Sequence, residues 1–157
     1  MKKIELTQGK FALVDDEDFD WLNQWKWYAN HLGYTWYVVR SVRYDNEVKA
    51  ILMHRSILNA KIGEEIDHIN HNGLDNRKKN LRICTRSQNN MNRNKLRGTS
   101  KYKGVSWSFS RRKWCAYIRI NNHTINLGRF KNEVDAANIY NVAAIEYFGK
   151  FAKLNII

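Results

Sequence analysis

The stretch IDHINHNGLDNRKKNLRICTRSQNNMN, residues 66–92, predicts two short strands joined by a loop and followed by a helix. Apolar and polar residues alternate over residues 66–69 and again over residues 81–84, which is the two-residue period of a strand. Between them, His71-Asn72-Gly73 is typical of a turn, because Gly and Asn tolerate positive φ angles. The stretch therefore predicts a β-hairpin with a long loop.

The residues after the hairpin predict a short helix. Thr85 is followed three residues later by Gln88, which is the spacing of a capping box, so the helix should begin at Arg86. Asn89 then falls in the first helical turn, facing back over the hairpin.

Four polar side chains should converge where these elements meet: Asp67, His68, Asn80 and Asn89. Asp67 and the amide oxygen of Asn89 are ligands that suit a hard divalent cation, which completes its shell with water and substrate phosphate. His68, with an ordinary pKa of about 6.5, can accept a proton from an attacking water near neutral pH. The pattern indicates metal-assisted phosphodiester hydrolysis.

At these residues the chain resembles the HNH nucleases, whose core is the ββα-metal fold. Asp67-His68 resembles the first motif of that family, Asn80 within DNRKKNL the second, and Asn89 within SQNN the third. The resemblance implies His68 as general base, Asn80 as the residue that orients its ring, and Asp67 and Asn89 as metal ligands. Asn at the third position, where many relatives have His, favours one Mg²⁺ or Mn²⁺ and no structural zinc.

Composition favours a nucleic-acid partner. The chain has 157 residues, of which 43% are hydrophobic, and 27 Lys and Arg against 15 Asp and Glu give a net charge of +12. Such a charge on a short chain favours a polyanion. No apolar run approaches the roughly 20 residues of a membrane span. No apolar signal core follows the first lysines, so the protein is expected in the cytoplasm, and Cys84 and Cys115 are expected as free thiols.

Four segments are predicted along the chain: a small β-rich section (1–50), the nuclease core (51–93), a basic linker (94–101) and a second α+β unit (102–157). The stretch 93–101, which contains this linker, is basic and poor in large apolar residues, so Arg93, Lys95 and Arg97 are expected to follow DNA phosphates. His54 and His71 are candidate phosphate contacts, with ordinary structural histidines as the alternative.

The last segment predicts three antiparallel strands packed on one helix. Strand-like runs at 105–107, 114–120 and 124–127 are separated by turn residues, Asn132 can cap a helix from Glu133 to Phe148, and Gly149 can end it. This segment, with YKGVSW, KWCAYIR, INLGRF and EVDAANIYNVAA in register, resembles the plant APETALA and ethylene-response-factor DNA-binding domain.

That resemblance implies a sheet laid in the major groove of DNA. The implied groove-facing residues are Lys103, Ser106, Ser108, Tyr117, Arg119, Thr124 and Asn126, and the basic turn residues Arg111 and Arg112 lie nearby. Strand parity independently places Cys115, Tyr117 and Arg119 on one face. Several positions that are Arg, Trp or Glu in the plant domains differ here, so their GC-rich preference should not be transferred.

Together these features predict a monomeric, sequence-preferring endonuclease of the homing type that nicks double-stranded DNA. The resemblance implies a gene carried by a phage or mobile element in a bacterial host. The alternatives are a DNA-binding regulator with an inactive nuclease fold, a non-specific nuclease of the colicin type, and an RNA-directed module.

Overall fold

A computed structural model describes residues 1–33, 35–94 and 97–157 and confirms the α+β class. The chain divides into two compact units, Met1–Thr85 and Arg86–Ile157. The predicted nuclease core, residues 51–93, extends across this division. One predicted site residue, the DNA contact Lys95, falls outside the described residues.

The first unit consists of three small antiparallel sheets and two short helices. In chain order its elements are β1 (Lys2–Glu5), β2 (Phe11–Val14), α1 (Asp16–Leu22), β3 (Tyr28–Leu32), β4 (Thr35–Tyr44), β5 (Glu47–Leu52), α2 (Met53–Ile57), β6 (Glu65–His68) and β7 (Leu81–Cys84). The sheets are β1-β2, β3-β4-β5 and β6-β7.

Local sequence explains several of these boundaries. Asp45 and Asn46 both have positive φ, 49° and 62°, which is the backbone of the tight hairpin turn that joins β4 to β5. Asp16, Glu17 and Asp18 fill the first turn of α1, where negative charge is favourable to the helix dipole. Strand β3 was not predicted.

One hydrophobic core joins the N-terminal strands to α2. Its buried members include Val14, Leu22, Val38 and Met53, and Leu74 from the β6–β7 loop packs against them. The backbone of β2 also binds this loop, since Leu13 N donates to Leu74 O at 2.9 Å and Asn76 N donates to Leu13 O at 2.8 Å. The opening section of the chain therefore anchors the loop of the candidate active site.

The second unit is a three-stranded antiparallel sheet packed on one long helix, with a short helix before it. Its elements are α3 (Arg86–Asn92), β8 (Val105–Ser108), β9 (Lys113–Ile120), β10 (His123–Phe130) and α4 (Glu133–Phe148), and the strand order is β10-β9-β8. As predicted, Asn132 Oδ1 accepts from Val134 N at the start of α4, and Gly149 ends the helix with φ 49°. Among the described residues, no helix combines the length and apolar character that spanning a membrane requires.

The two faces of the second sheet differ in character. Ala116 and Ile118 are fully buried against α4, together with the small residues Ala136 and Ala144 of that helix. The intervening residues on β9 point to the opposite, exposed face, because side chains alternate along a strand. The face opposite α4 therefore contains Cys115, Tyr117 and Arg119, the residues that strand parity placed together.

The segment before β8 is tied to the second unit by side-chain hydrogen bonds. Thr99 Oγ1 accepts from Trp107 N at 2.8 Å, and the buried Ser100 accepts from Tyr102 N at 2.9 Å. Residues 97–101, which fall in the predicted linker, thus include positions that contact the sheet.

Charge is unevenly divided between the two units. The second unit contains fourteen Lys and Arg and three Asp and Glu, a net charge of +11, whereas the first contains thirteen and twelve, a net charge of +1. The positive charge of the chain therefore belongs almost entirely to residues 86–157, which marks that unit as the main electrostatic partner of a polyanion.

Gly104 is the glycine whose replacement should cost most. Its φ is +73°, and an added Cβ would lie 1.9 Å from the Tyr140 ring. Gly149 also has positive φ but has nothing within 4 Å of that position. We expect Gly104→Ala to lower the free energy of unfolding by about 2–5 kcal/mol, from backbone strain and overpacking together. Gly149→Ala, the control, should cost about 1–2 kcal/mol. Urea unfolding measures both; equal costs would contradict the packing of α4 on β8.

Candidate active site

The β6–β7 hairpin places Asp67 and His68 side by side at the end of a strand. Asp67 pairs with Arg82 and His68 with Leu81 across the hairpin. Both side chains are buried, each at 6% exposure. Burying a carboxylate and an imidazole together requires polar partners, and the structure supplies them.

Arg82 is the partner of the Asp67 carboxylate. Its Nε donates to Asp67 Oδ2 at 2.8 Å, and its Nη2 donates to the same oxygen. The guanidinium is itself mostly buried, so this pair neutralises and orients the carboxylate beside His68. Sequence reasoning did not identify Arg82, although its position opposite Asp67 follows from the hairpin register.

Asn76 hydrogen bonds to the ring of His68. Its Oδ1 lies 3.4 Å from His68 Nε2, and its Nδ2 donates to Gly73 O at 3.4 Å. The second bond fixes which end of the amide faces the ring. Because an amide oxygen only accepts, this contact favours the tautomer with the proton on Nε2, in which Nδ1 is the basic nitrogen of His68. Asn76, fully buried in the loop, is a site residue that sequence reasoning missed.

Burial lowers the pKa of His68 below its ordinary value. The hydrogen bond that the ring makes to Asn76 Oδ1 and the negative charges of Asp67 and Asp75 oppose this effect without cancelling it. Since the ring is neutral above its pKa, His68 is neutral at physiological pH. A neutral imidazole is the form that can accept a proton.

Asn80 organises the loop that surrounds the site. Its Oδ1 accepts from Asn70 N at 3.0 Å, and its Nδ2 donates to Asp75 O at 2.8 Å. Asp75, also buried, accepts from Asn70 Nδ2 and from Arg77. The Asn80 side chain thus bonds the main chain of the loop that carries Asn76, and it is Asn76 whose amide bonds the His68 ring.

His54 lies next to His68 at the start of α2. The two ring centroids are 5.0 Å apart and nearly perpendicular, and the Tyr37 ring lies 5.7 Å from His54 and 5.9 Å from His68. Burial, and then the neighbouring His68 and Arg55, lowers the pKa of His54 to about 3. Its buried Nδ1 has no hydrogen-bond partner among the described residues. His54 is therefore a neutral ring packed edge-on against the candidate base.

His71, the other candidate phosphate contact, lies on the β6–β7 loop with φ 65°. Its carbonyl oxygen accepts from Thr35 Oγ1 at 3.3 Å, which ties the loop to β4. The loop approaches β4 closely, because a Cβ on Gly73 would lie 2.2 Å from Trp36 O. The conformation of the loop is therefore imposed by its packing on β4.

The third predicted motif lies in the second unit, where Asn89 occupies α3. The donor chemistry of Asp67 and Asn89, one carboxylate and one amide oxygen, fits Mg²⁺ or Mn²⁺ and lacks the Cys and His ligands that zinc prefers. Within residues 1–33, 35–94 and 97–157, no three His, Cys, Asp or Glu side chains cluster in an arrangement able to hold a metal ion.

The predicted groove-facing residues lie largely on the exposed face of the second sheet. Tyr117 pairs with Asn126 and Arg119 with Thr124 across β9 and β10, so all four share a face. Ser106 pairs with Cys115, and Ser108 with Lys113, on the same face. Arg111 and Arg112 are exposed in the β8–β9 turn, where Arg112 has φ 49°.

Lys103 is engaged elsewhere. Its Nζ donates to Met91 O at 2.5 Å and to Arg93 O at 2.8 Å, at the end of α3. A lysine there is favourable to the helix dipole and binds carbonyls that the helix leaves unsatisfied. Burial, and then Lys153 and Arg93, nevertheless lowers its pKa to about 8. Lys103 therefore links α3 to the sheet at a point crowded with positive charge.

Asn76→Ala tests the bond to the His68 ring. We expect cleavage at saturating DNA to slow by about tenfold, which corresponds to one lost hydrogen bond, with DNA affinity unchanged. Asn72→Ala removes an exposed amide of the same loop and should change the rate by less than about twofold. Single-turnover cleavage separates the two, and equal rates for both variants would show that Asn76 does not position His68.

Comparison with known proteins matches the segment that contains these residues. Residues 52–91 match the family model described as HNH endonuclease, a range that includes His54, Asp67, His68, Asn80 and Asn89. The chain is also similar to an uncharacterized HNH endonuclease of Acanthamoeba polyphaga mimivirus. The two are 35% identical over 156 residues, which cover 96% of this chain and 77% of the viral protein.

Proposed function

The chain belongs to the HNH endonuclease family, and from that premise we propose that it is a homing-type enzyme that nicks double-stranded DNA with a sequence preference. The observation that carries the proposal is the pair at the end of β6. A buried carboxylate held by Arg82 lies beside a buried, neutral histidine whose ring is bonded by Asn76. These are the groups that metal-assisted hydrolysis needs.

In the proposed reaction, His68 accepts a proton at Nδ1 from the water that attacks the scissile phosphorus. Asn76 holds the proton on Nε2 and thereby keeps Nδ1 available as the base. His54 packs against the ring and limits its rotation. The 3′ oxygen departs, so the products carry 3′-hydroxyl and 5′-phosphate ends.

Asp67 and Asn89 are the proposed ligands of one divalent cation, Mg²⁺ or Mn²⁺. When bound, the cation would neutralise charge on the scissile phosphate and on the departing oxygen. Arg82 holds the Asp67 carboxylate in place and offsets its charge until then. One such centre cuts one strand, so a monomer nicks.

The second unit is proposed to supply affinity and sequence preference as an APETALA-type domain. Its net charge of +11 supports binding to duplex DNA. The exposed sheet face, with Tyr117, Arg119, Thr124 and Asn126, supports base contacts in a groove. We further propose that a phage or mobile element encodes the protein and that it acts in the cytoplasm of the bacterial host.

The proposal is tested on supercoiled DNA from the source genome. We expect conversion to open circles with Mg²⁺ and none with EDTA. DNA ligase should reseal the product, because ligation requires the proposed 3′-hydroxyl and 5′-phosphate ends. Open circles that ligase cannot reseal would contradict the proposed direction of cleavage, and linear DNA as the first product would contradict nicking.

A further inference from the structure

Within the second unit, a cleft of about 540 Å³ opens between α3 and strand β9. Ser87, Asn90 and Met91 of α3 line one wall, and Tyr117 and Arg119 of β9 line the other. Four basic residues line the cleft: Arg93, Arg97, Lys103 and Arg119.

The lining contains no acidic residue among the described positions. The three acidic residues of this unit, Glu133, Asp135 and Glu146, all lie on α4. Burial, and then the neighbouring Lys153 and Arg93, lowers the pKa of Lys103 to about 8, so basic side chains lie close together here. An arrangement of this kind is favourable to an anion.

The floor of the cleft contains a polar group without a partner. Tyr140 is 2% exposed, and its buried hydroxyl bonds to no other described residue. Burial raises its pKa, so the hydroxyl remains protonated and can act as a donor. A buried donor without an acceptor is costly, and Tyr140 is one of the residues that line the cleft.

Helix α3 contains both residues that line this cleft and Asn89, the proposed metal ligand. Ser87, Asn90 and Met91 are spaced three and four residues apart and so share one face of the helix. Asn89 is about 160° around the helix from both Ser87 and Met91. The cleft and Asn89 are therefore separated by about 10 Å, the thickness of one helix, or roughly three nucleotides of a strand at 3.4 Å each.

We propose that this cleft binds the phosphodiester backbone of the DNA strand, next to the phosphate that is cut. This inference rests on the proposed function and deepens it. It assigns Arg93 and Arg97 to phosphate contacts that do not depend on sequence, with Lys103 adding positive charge from its place at the end of α3. Base contacts are left to the sheet face, Arg119 included. Backbone held on one side of α3 presents the strand to Asn89 on the other.

Asn121 and Asn122, at the rim of the cleft, allow a conservative test. Both have positive φ, 48° and 67°, a conformation that Asp also tolerates. The double variant N121D/N122D adds two negative charges with almost no change in shape. The matched control, N46D/N59D, makes the same change at two exposed Asn residues with φ 62° and 47° outside the cleft lining.

Binding is measured by fluorescence anisotropy on a mixed-sequence 40-base-pair duplex in EDTA, across a salt series. We expect N121D/N122D to weaken binding about tenfold at low salt and N46D/N59D by less than twofold. Arg93→Gln should lower the slope of log affinity against log salt by about 0.9, the value for one lost phosphate contact. Lys131→Gln, exposed and outside the cleft, is its control.

Selection from a randomised duplex pool then tests the class of contact. The wild type and the cleft variants should recover the same base preferences. A changed preference at one position would overturn the proposal in favour of base readout, and equal binding of N121D/N122D and its control would overturn the site. In both cases the wild type still binds and cleaves; failure of the wild type to do either would instead refute the proposed function.

Discussion

His68→Ala should abolish cleavage while leaving DNA binding nearly unchanged. Loss of a general base typically costs about 10²–10⁴-fold in rate. DNA binding is expected to depend mainly on the second unit, which contains most of the positive charge. Single-turnover cleavage of a duplex that contains the cleavage site measures the rate, and fluorescence anisotropy on the same duplex measures binding.

The control for this variant is His31→Ala. His31 is an exposed histidine of the first unit that contacts Trp36 and lies outside the site. It should retain wild-type cleavage within about twofold. Full activity of His68→Ala would show that another group accepts the proton, and the neighbouring His54 would be the next variant to make.

Asp67→Asn should remove most of the metal-dependent activity. The amide keeps an oxygen that can accept from Arg82, so the hairpin should fold, but it loses the negative charge that a divalent cation prefers. We expect the Mg²⁺ concentration for half-maximal cleavage to rise by more than about tenfold. Even the loss of a residue that only orients a metal ligand lowers metal affinity by about 10–100-fold. The measurement is a Mg²⁺ titration of the cleavage rate.

Asp20→Asn serves as the charge-matched control. Its carboxylate is highly exposed on α1 and makes a long ion pair of 3.8 Å with Lys2. It should leave the Mg²⁺ titration unchanged. Identical titrations for wild type and Asp67→Asn would rule out Asp67 as a ligand, and thermal unfolding of both variants would show whether lost activity reflects lost folding.

Local patterns in the sequence predicted most of the elements that form this site. Alternation over residues 66–69 and 81–84 corresponds to β6 and β7, and the capping pattern at Thr85 places the start of α3 at Arg86, where the structure has it. Both signals are local, since each depends on residues a few positions apart. Tertiary packing did not override them.

Features that depend on distant contacts could not be predicted in this way. Strand β3, with the sequence YANHL, has no clear alternation, and it forms because it pairs with β4. Asn70, Asn72, Asn76 and Asn80 are equivalent candidates in sequence. Only the folded loop shows that Asn76 faces His68 while Asn80 bonds the loop backbone.

Lys103 shows the same limit for a long side chain. Family resemblance predicted it on the groove face, but the side chain reaches the carbonyl oxygens at the end of α3. The flexible four-carbon stem of lysine allows this contact. Local sequence patterns do not predict it, because Met91 is distant from Lys103 in the sequence. The cleft between α3 and β9 could not be predicted for the same reason.

The most direct test of the central claim is cleavage of supercoiled source DNA by wild type and by His68→Ala, each with Mg²⁺ and with EDTA. The account predicts open circles only for the wild type with Mg²⁺, and equal duplex binding by both proteins. Tight binding without cleavage by the wild type in Mg²⁺ or Mn²⁺ would contradict the account and indicate a DNA-binding regulator built on a nuclease fold.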